Sequence, residues 1–123
     1  MSRILVVEDE KDIAELIEFN LTRKGFEVTC AEDGNTALDL ALNGKFSVVV
    51  LDLMLPERDG LSVLRKLRRD ARTEHLPVII LSARGQTEDK IAGLTYGADD
   101  YMSKPFSPKE LVCLLYTSDA ADD

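Results

Sequence analysis

Residues 48–60 read VVVLDLMLPERDG. Four consecutive apolar residues, Val48 to Leu51, are the pattern of a strand buried on both faces, as in a sheet with helices on each side. The run then meets a carboxylate, Asp52, before Leu53, Met54 and Leu55. An unpaired buried carboxylate costs several kcal/mol or is driven to its neutral form. An acid here is therefore expected just past the strand, partly exposed and compensated by a cation. Pro56 and Gly60 mark the loop that follows.

Working outward, apolar periodicity alternates between strand and helix types along the chain. Ile4 to Val7 form a short apolar run, then Ile13, Leu16, Ile17 and Leu21 recur at helical spacing. Asp12 with Glu15 resembles a capping box, and Gly25 stops the helix. Phe26 to Cys30 alternates as a second strand, and Ala37, Leu38 and Ala41 mark a second helix. Ser47 to Leu51 is the third strand, followed by the Leu61 helix. Pro77 opens Val78 to Leu81, since proline is tolerated at a strand's start. Thr87 begins another helix, with Glu88 and Asp89 in its first turn. Tyr101 and Met102 make a short last strand, and Ser107-Pro108-Lys109-Glu110 starts the final helix. Five strands alternating with five helices predict a doubly wound α/β fold with a parallel sheet and right-handed crossovers.

At 123 residues the chain is one domain by length, with 45% hydrophobic and 31% charged residues, as in a soluble globular protein. No apolar run approaches the roughly 18 residues of a membrane span, and MSRILVV carries no signal-peptide pattern, so a cytoplasmic location is expected. Cys30 and Cys113 lack metal-ligand spacing and read as reduced, buried small residues. A formal net charge of -8 argues against nucleic-acid binding by this chain alone. The basic run from Arg65 to Arg72 reads as the solvated face of a helix whose Leu61, Leu64 and Leu67 point inward. His75, the only histidine, sits in a polar loop and is expected to face solvent without a role.

Ligands of open α/β sheets bind beyond the carboxyl ends of the strands. Here those ends carry Glu8-Asp9-Glu10, Asp52, Ser82-Ala83 and Lys104-Pro105. If the first and third strands are neighbours, their ends lie about 5 Å apart. Two carboxylates at that separation repel by roughly 3 kcal/mol at an effective dielectric of about 20. Glu8, Asp9 and Asp52 exceed what Lys104 neutralises, so a divalent cation is expected. Hard oxygen ligands, too few for a calcium cage, favour magnesium. Glu57 and Asp59 are further oxygen donors but lack the calcium-loop spacing. Such a site suits phosphoryl transfer: Asp52 as nucleophile, the metal offsetting phosphoryl charge, Lys104 and Ser82 contacting phosphoryl oxygens.

The motifs ILVVEDE, VVVLDLMLPERDG, VIILSARG and GADDYMSKPFSPKEL resemble the receiver domain of two-component response regulators over about residues 2–112. The last two look closest to the PhoB-like (OmpR-type) branch, whose receivers precede a winged-helix DNA-binding domain. The resemblance implies the flavodoxin-like, CheY-like strand order 2-1-3-4-5. It implies that Asp52 accepts phosphate from a sensor histidine kinase, and that Asp9, Asp52 and the Met54 backbone carbonyl hold Mg2+, with Glu8 acting mainly through water. Lys104 would bridge the acidic site to the phosphoryl group across a cis Lys104-Pro105 bond, an isomer that proline permits at roughly 0.5–1 kcal/mol. Ser82 and Tyr101 would be a switch pair that alters the face formed by the last strand and last two helices. Against this, Ser82 alone reads as a strand-end hydrogen bonder, Tyr101 as an edge aromatic with its hydroxyl in water, and Met54 by its side chain as a packing residue. The molecule would be a phosphoacceptor with at most slow self-dephosphorylation, not an enzyme.

In the resembling regulators that face forms a dimer. Lys90, Asp99, Asp100 and Glu110 match its charged positions, and Ile91 and Leu94 its apolar patch. Residues 1–112 then form the receiver, and 113–123, CLLYTSDAADD, are an atypical segment that looks like a translated artefact. Leu114 and Leu115 continue the buried stripe, but no basic residue follows, and Asp119, Asp122 and Asp123 fall at the unfavourable end of a helix dipole. The native gene is expected to continue into an output domain; the alternative is a stand-alone receiver. A Mg2+-dependent aspartyl-phosphate phosphohydrolase is a weaker reading, since the second acid such enzymes need falls at Met54. A nucleotide-binding domain lacks its glycine-rich loop after the first strand.

Overall fold

The computed structural model describes residues 2–55, 59–82, 94–95, 97–103 and 107–121, without the side chains of 82, 103 and 116–121. Five parallel strands, β1 (Arg3–Val7), β2 (Glu27–Ala31), β3 (Val48–Asp52), β4 (Val78–Ser82) and β5 (Asp100–Ser103), form one sheet in the order β2-β1-β3-β4-β5. Four helices are described: α1 (Lys11–Arg23), α2 (Gly34–Asn43), α3 (Gly60–Arg69) and α4 (Pro108–Ala121). The helix expected from Thr87 lies outside the described residues, except that Leu94 and Thr95 are helical.

Two-residue alternation sorts each strand between two cores. Leu5, Val7, Val49, Leu51, Val78 and Ile80 face α2 and α3, joined by Ala37, Leu38, Leu64 and Leu67. Ile4, Val6, Val48, Val50, Ile79 and Leu81 face α1 and α4, joined by Ile17, Leu21, Leu111 and Leu115. Both faces are covered, which is why β3 is uninterruptedly apolar up to its last residue.

Helix ends follow local chemistry, with one correction. α1 closes in a Schellman arrangement: Gly25 N–H donates to Thr22 O and Phe26 N–H to Leu21 O, with Gly25 at φ +94°, a conformation glycine adopts freely. Leu21 and Phe26 pack in the same core. The Asp12–Glu15 capping box is not formed. The helix starts two residues earlier than an Asp12 cap would place it, at Lys11 after a Glu10 cap without side-chain bonding, so Asp12 sits inside the first turn, where the dipole favours it. Leu16, at helical spacing with the core residues, is exposed instead. Leu115 is fully buried and Leu114 packs against the same core, so the expected stripe continues along α4.

Both cysteines are exposed rather than buried. Cys30 lies on the edge strand β2, where partial desolvation and the Glu18 carboxylate push its thiol up. His75 faces solvent, as expected.

The basic run divides. Leu64 and Leu67 are buried and Leu61 packs against them, while Arg65, Lys66, Arg69 and Arg72 are exposed. At the end of the run, Arg72 donates two side-chain bonds to Asp70 and holds its carboxyl down at about 2. Arg68 departs from the solvated face. Its guanidinium donates to Gly97 O at 2.9 Å, Leu76 O at 2.6 Å and Asp99 Oδ1 at 3.0 Å. Burial pulls this group down from its ordinary value and Asp99 opposes the fall. Asp99 also accepts Val78 N–H at 2.9 Å, so it is engaged within the domain at the entry to β4. Arg68 thereby ties the end of α3 to the starts of β4 and β5. Arg68→Ala leaves the part-buried Thr73 and Leu76 carbonyls without this donor. It should lower urea-measured stability by about 2–3 kcal/mol, whereas Lys66→Ala on the exposed face should change it by less than about 0.5 kcal/mol.

Candidate metal centre at the strand ends

The order of the sheet reverses between β1 and β3, a topological switch point where α/β proteins bind ligands. The register pairs Val6 with Val50 and Val7 with Leu51. One step further brings Glu8 beside Asp52, both on the α1–α4 side of the sheet by alternation. Glu8 and Asp52 are buried at 2% exposure each, while Asp9 is exposed. Ligand oxygens of Glu8, Asp9 and Asp52 all lie within 4.8 Å of one another.

Asp52 is therefore not the first residue beyond the strand, nor partly exposed. It is the last residue of β3, paired with Leu81, and Leu53 N–H extends the ladder to Leu81 O at 3.1 Å. β4 pairs with it on one side, Glu8 lies near it beyond the end of β1, and the start of α3 approaches its backbone. Its Oδ1 accepts Met54 N–H at 3.0 Å, and Glu8 Oε1 accepts Glu10 N–H at 3.2 Å. Backbone donors thus satisfy part of each buried carboxylate, as burial of charge requires. Met54 contributes its amide here, and its side chain is exposed at 52% rather than packed.

The chemistry of the donor set fits a hard divalent cation. Three carboxylates converge with neither histidine nor cysteine in the group, and one of them opens to solvent as an entry path. Asp59, an expected extra donor, instead caps α3: its Oδ1 accepts Ser62 N–H at 2.9 Å.

Ser82 ends β4 opposite Ser103, at the same rim, but its side chain lies outside the described residues, as do Glu57, Lys90, Ile91, Lys104 and Pro105. Leu94 is exposed, and Asp100 and Glu110 lie on β5 and in the first turn of α4. Tyr101 is half-buried against the α2–α3 core, with its hydroxyl inside rather than in water. That hydroxyl has no hydrogen-bond partner among the described residues.

Residues 4–116 match the family described as response regulator receiver domain. The chain belongs to this family. Such domains are phosphorylation-dependent switches of two-component signalling; they interact with sensor histidine kinases and are generally phosphoacceptors rather than enzymes. Among solved structures, the receiver domain of the Francisella response regulator 1452 is 40% identical, with a TM-score of 0.94 and full coverage of both chains. Vibrio cholerae chemotaxis protein CheY4 is 29% identical at a TM-score of 0.90, over 96% of this chain and 98% of its own. The receiver domain of the Pseudomonas aeruginosa sensor histidine kinase PA1611 is 32% identical at a TM-score of 0.90, over 97% of this chain and 98% of that one. That receiver was solved with a magnesium ion coordinated in its active-site cleft. A response regulator, a chemotaxis protein and a kinase-borne receiver share the fold, so these likenesses establish the family and leave the branch open.

The inward Tyr101 hydroxyl yields a receiver-specific expectation. Phenylalanine keeps the ring's packing and removes a buried polar atom whose desolvation goes uncompensated among the described residues. Tyr101→Phe should raise unphosphorylated stability by about 1 kcal/mol in urea denaturation; a loss of similar size would mean that the hydroxyl has a partner.

Proposed function

We propose that Asp52 is the phosphoacceptor of this receiver and that Glu8, Asp9, Asp52 and the Met54 backbone carbonyl form its Mg2+ site. The observation that carries this reading is the convergence of three carboxylates at the switch point, two of them buried. The magnesium ion in the cleft of the PA1611 receiver supports the choice of metal. Bound there, Mg2+ supplies positive charge that offsets phosphoryl charge in transfer. The chain's own residues supply the rest. The β3 ladder fixes the Asp52 backbone, and the Met54 amide orients its carboxylate. Burial limits water around the acyl phosphate that would form.

In this reading a sensor histidine kinase donates the phosphoryl group. Lys104 bridges the acidic site to it, and Ser82 and Tyr101 respond as the switch pair. The inward Tyr101 ring supports that last role, because its position is one that a change at the rim can alter. The response reaches the face carrying Lys90, Ile91, Leu94, Asp100 and Glu110, through which the intact protein would dimerise. Asp99, held by Arg68 and Val78, is less available to that face than its sequence position suggests.

Output through DNA binding rests on the likeness of GADDYMSKPFSPKEL to PhoB-like receivers. Residues 1–112 would carry the receiver's motifs and 113–123 would be an atypical segment, of which Leu114 and Leu115 pack with the receiver's core. The reading places the protein in the cytoplasm; among the described residues no helix is long and apolar enough to cross a membrane. The phosphohydrolase reading is weaker, since the position two residues past Asp52 is an exposed methionine.

Incubation with a small phosphodonor and Mg2+ should add one phosphoryl group by intact mass, absent in Asp52→Asn and without metal. Equal labelling of Asp52→Asn would refute the assignment. Mg2+ at about a hundred times its dissociation constant should stabilise the unphosphorylated protein by about 2.7 kcal/mol, by mass action on the folded state. Asp52→Asn should lose most of that stabilisation in thermal melts.

A further inference from the structure

The backbone of α3's first residue lies directly against the strand end that carries Asp52. A β-carbon built on Gly60 would stand 2.4 Å from the Asp52 carbonyl oxygen, 2.7 Å from Leu53 Cα and 3.1 Å from the Asp52 carbonyl carbon. Non-bonded carbon contacts settle at roughly 3.5–4.0 Å, and all three neighbours are backbone atoms, which cannot swing aside as a side-chain tip can. The approach is fastened as well as close. Gly60 N–H donates to Leu53 O at 3.0 Å, and the Asp59 cap on Ser62 holds the helix start in place. Behind it, Val63, Leu64 and Leu67 are buried, so α3 has no room to retreat.

Asp52 is asymmetrically held. β4 pairs with it and with the Leu53 amide, but the β1 ladder stops one residue earlier, at Val7–Leu51. Any displacement forced from the Gly60 side is therefore taken up at the Asp52–Leu53 peptide. That peptide carries the side chain grouped with Glu8 and Asp9.

We infer that Gly60 is a positioning residue for the phosphorylation site: its lack of a side chain lets α3 clamp the Asp52–Leu53 backbone and so sets the spacing of the three carboxylates that take the metal. This rests on the reading of Asp52 as phosphoacceptor for its consequence in labelling, but the metal-binding consequence stands on the carboxylate cluster alone. Residues that orient ligands without touching the metal typically change affinity by about 10–100-fold when altered.

The test compares the wild-type chain, Gly60→Ala and Val63→Ala, the last a buried change in the same helix. Three quantities are read: metal-free melting temperature, Mg2+ dissociation constant by calorimetric titration, and rate of phosphoryl labelling. Gly60→Ala should weaken Mg2+ binding about tenfold or more and slow labelling to match. Val63→Ala should melt earlier yet keep its Mg2+ affinity within about twofold. Wild-type Mg2+ affinity and labelling in Gly60→Ala would overturn the inference, as would equal weakening of Mg2+ binding in Val63→Ala. Should Gly60→Ala not fold, Asp59→Ala and Asp59→Ser decide instead. Both remove one charge, but serine keeps a capping oxygen, so only Asp59→Ala should weaken Mg2+ binding, and equal affinities would overturn the inference. A wild-type chain that takes no phosphoryl group would sink the reading of Asp52, whereas normal labelling of both wild type and Gly60→Ala sinks only the role of Gly60.

Discussion

The pairing of β1 with β3 is the constraint on which the site depends. Its register, Val7 beside Leu51, brings the ends of two apolar strands together where the order of the sheet reverses. β1 leads into Glu8 and β3 ends in Asp52, so the same hydrogen-bond ladder that builds the sheet's centre forces these two acids into proximity. Separated carboxylates would be better solvated and would repel less. Burial of the strands by α1 and α4 on one face and α2 and α3 on the other prevents that separation. Fold stability and site chemistry thus act against each other at this rim, and a divalent cation held there would reconcile them.

The rim is also held from beneath. Arg68 fastens the end of α3 to the entries of β4 and β5, while Gly60 lets the start of the same helix press against the end of β3. One ten-residue helix therefore touches both ends of the sheet's central strands. Strands whose far ends carry Asp52 and Ser82 gain a defined register from these two attachments.

Much of this was legible because the chain's periodicity is consistent from end to end. Alternation and helical spacing gave the five strands and the described helices nearly to the residue, and the acids fell at the ends of β1 and β3. The errors have particular causes. Asp52 was expected to be partly exposed because a lone carboxylate resists burial, but its backbone belongs to the β4 ladder and its side chain has Met54's amide. Arg68 was grouped with its exposed neighbours because composition cannot distinguish one arginine in a basic run from another; its partners lie up to 31 residues away. Cys30 was expected inside, yet an edge strand presents alternate residues to solvent. Gly60 was visible only as a loop signal.

From the sequence alone, local chemistry determined the element order, the two-sided burial of the central strands and the identity of the acidic residues at their ends. These follow from side-chain periodicity and capping, which act over a few residues. Only the tertiary structure decided that Glu8 and Asp52 are both buried, that Arg68 is a tie, and that Gly60 must lack a side chain. Each depends on a contact between segments distant in the chain, and such contacts leave no local pattern until strand register and helix docking bring the atoms together.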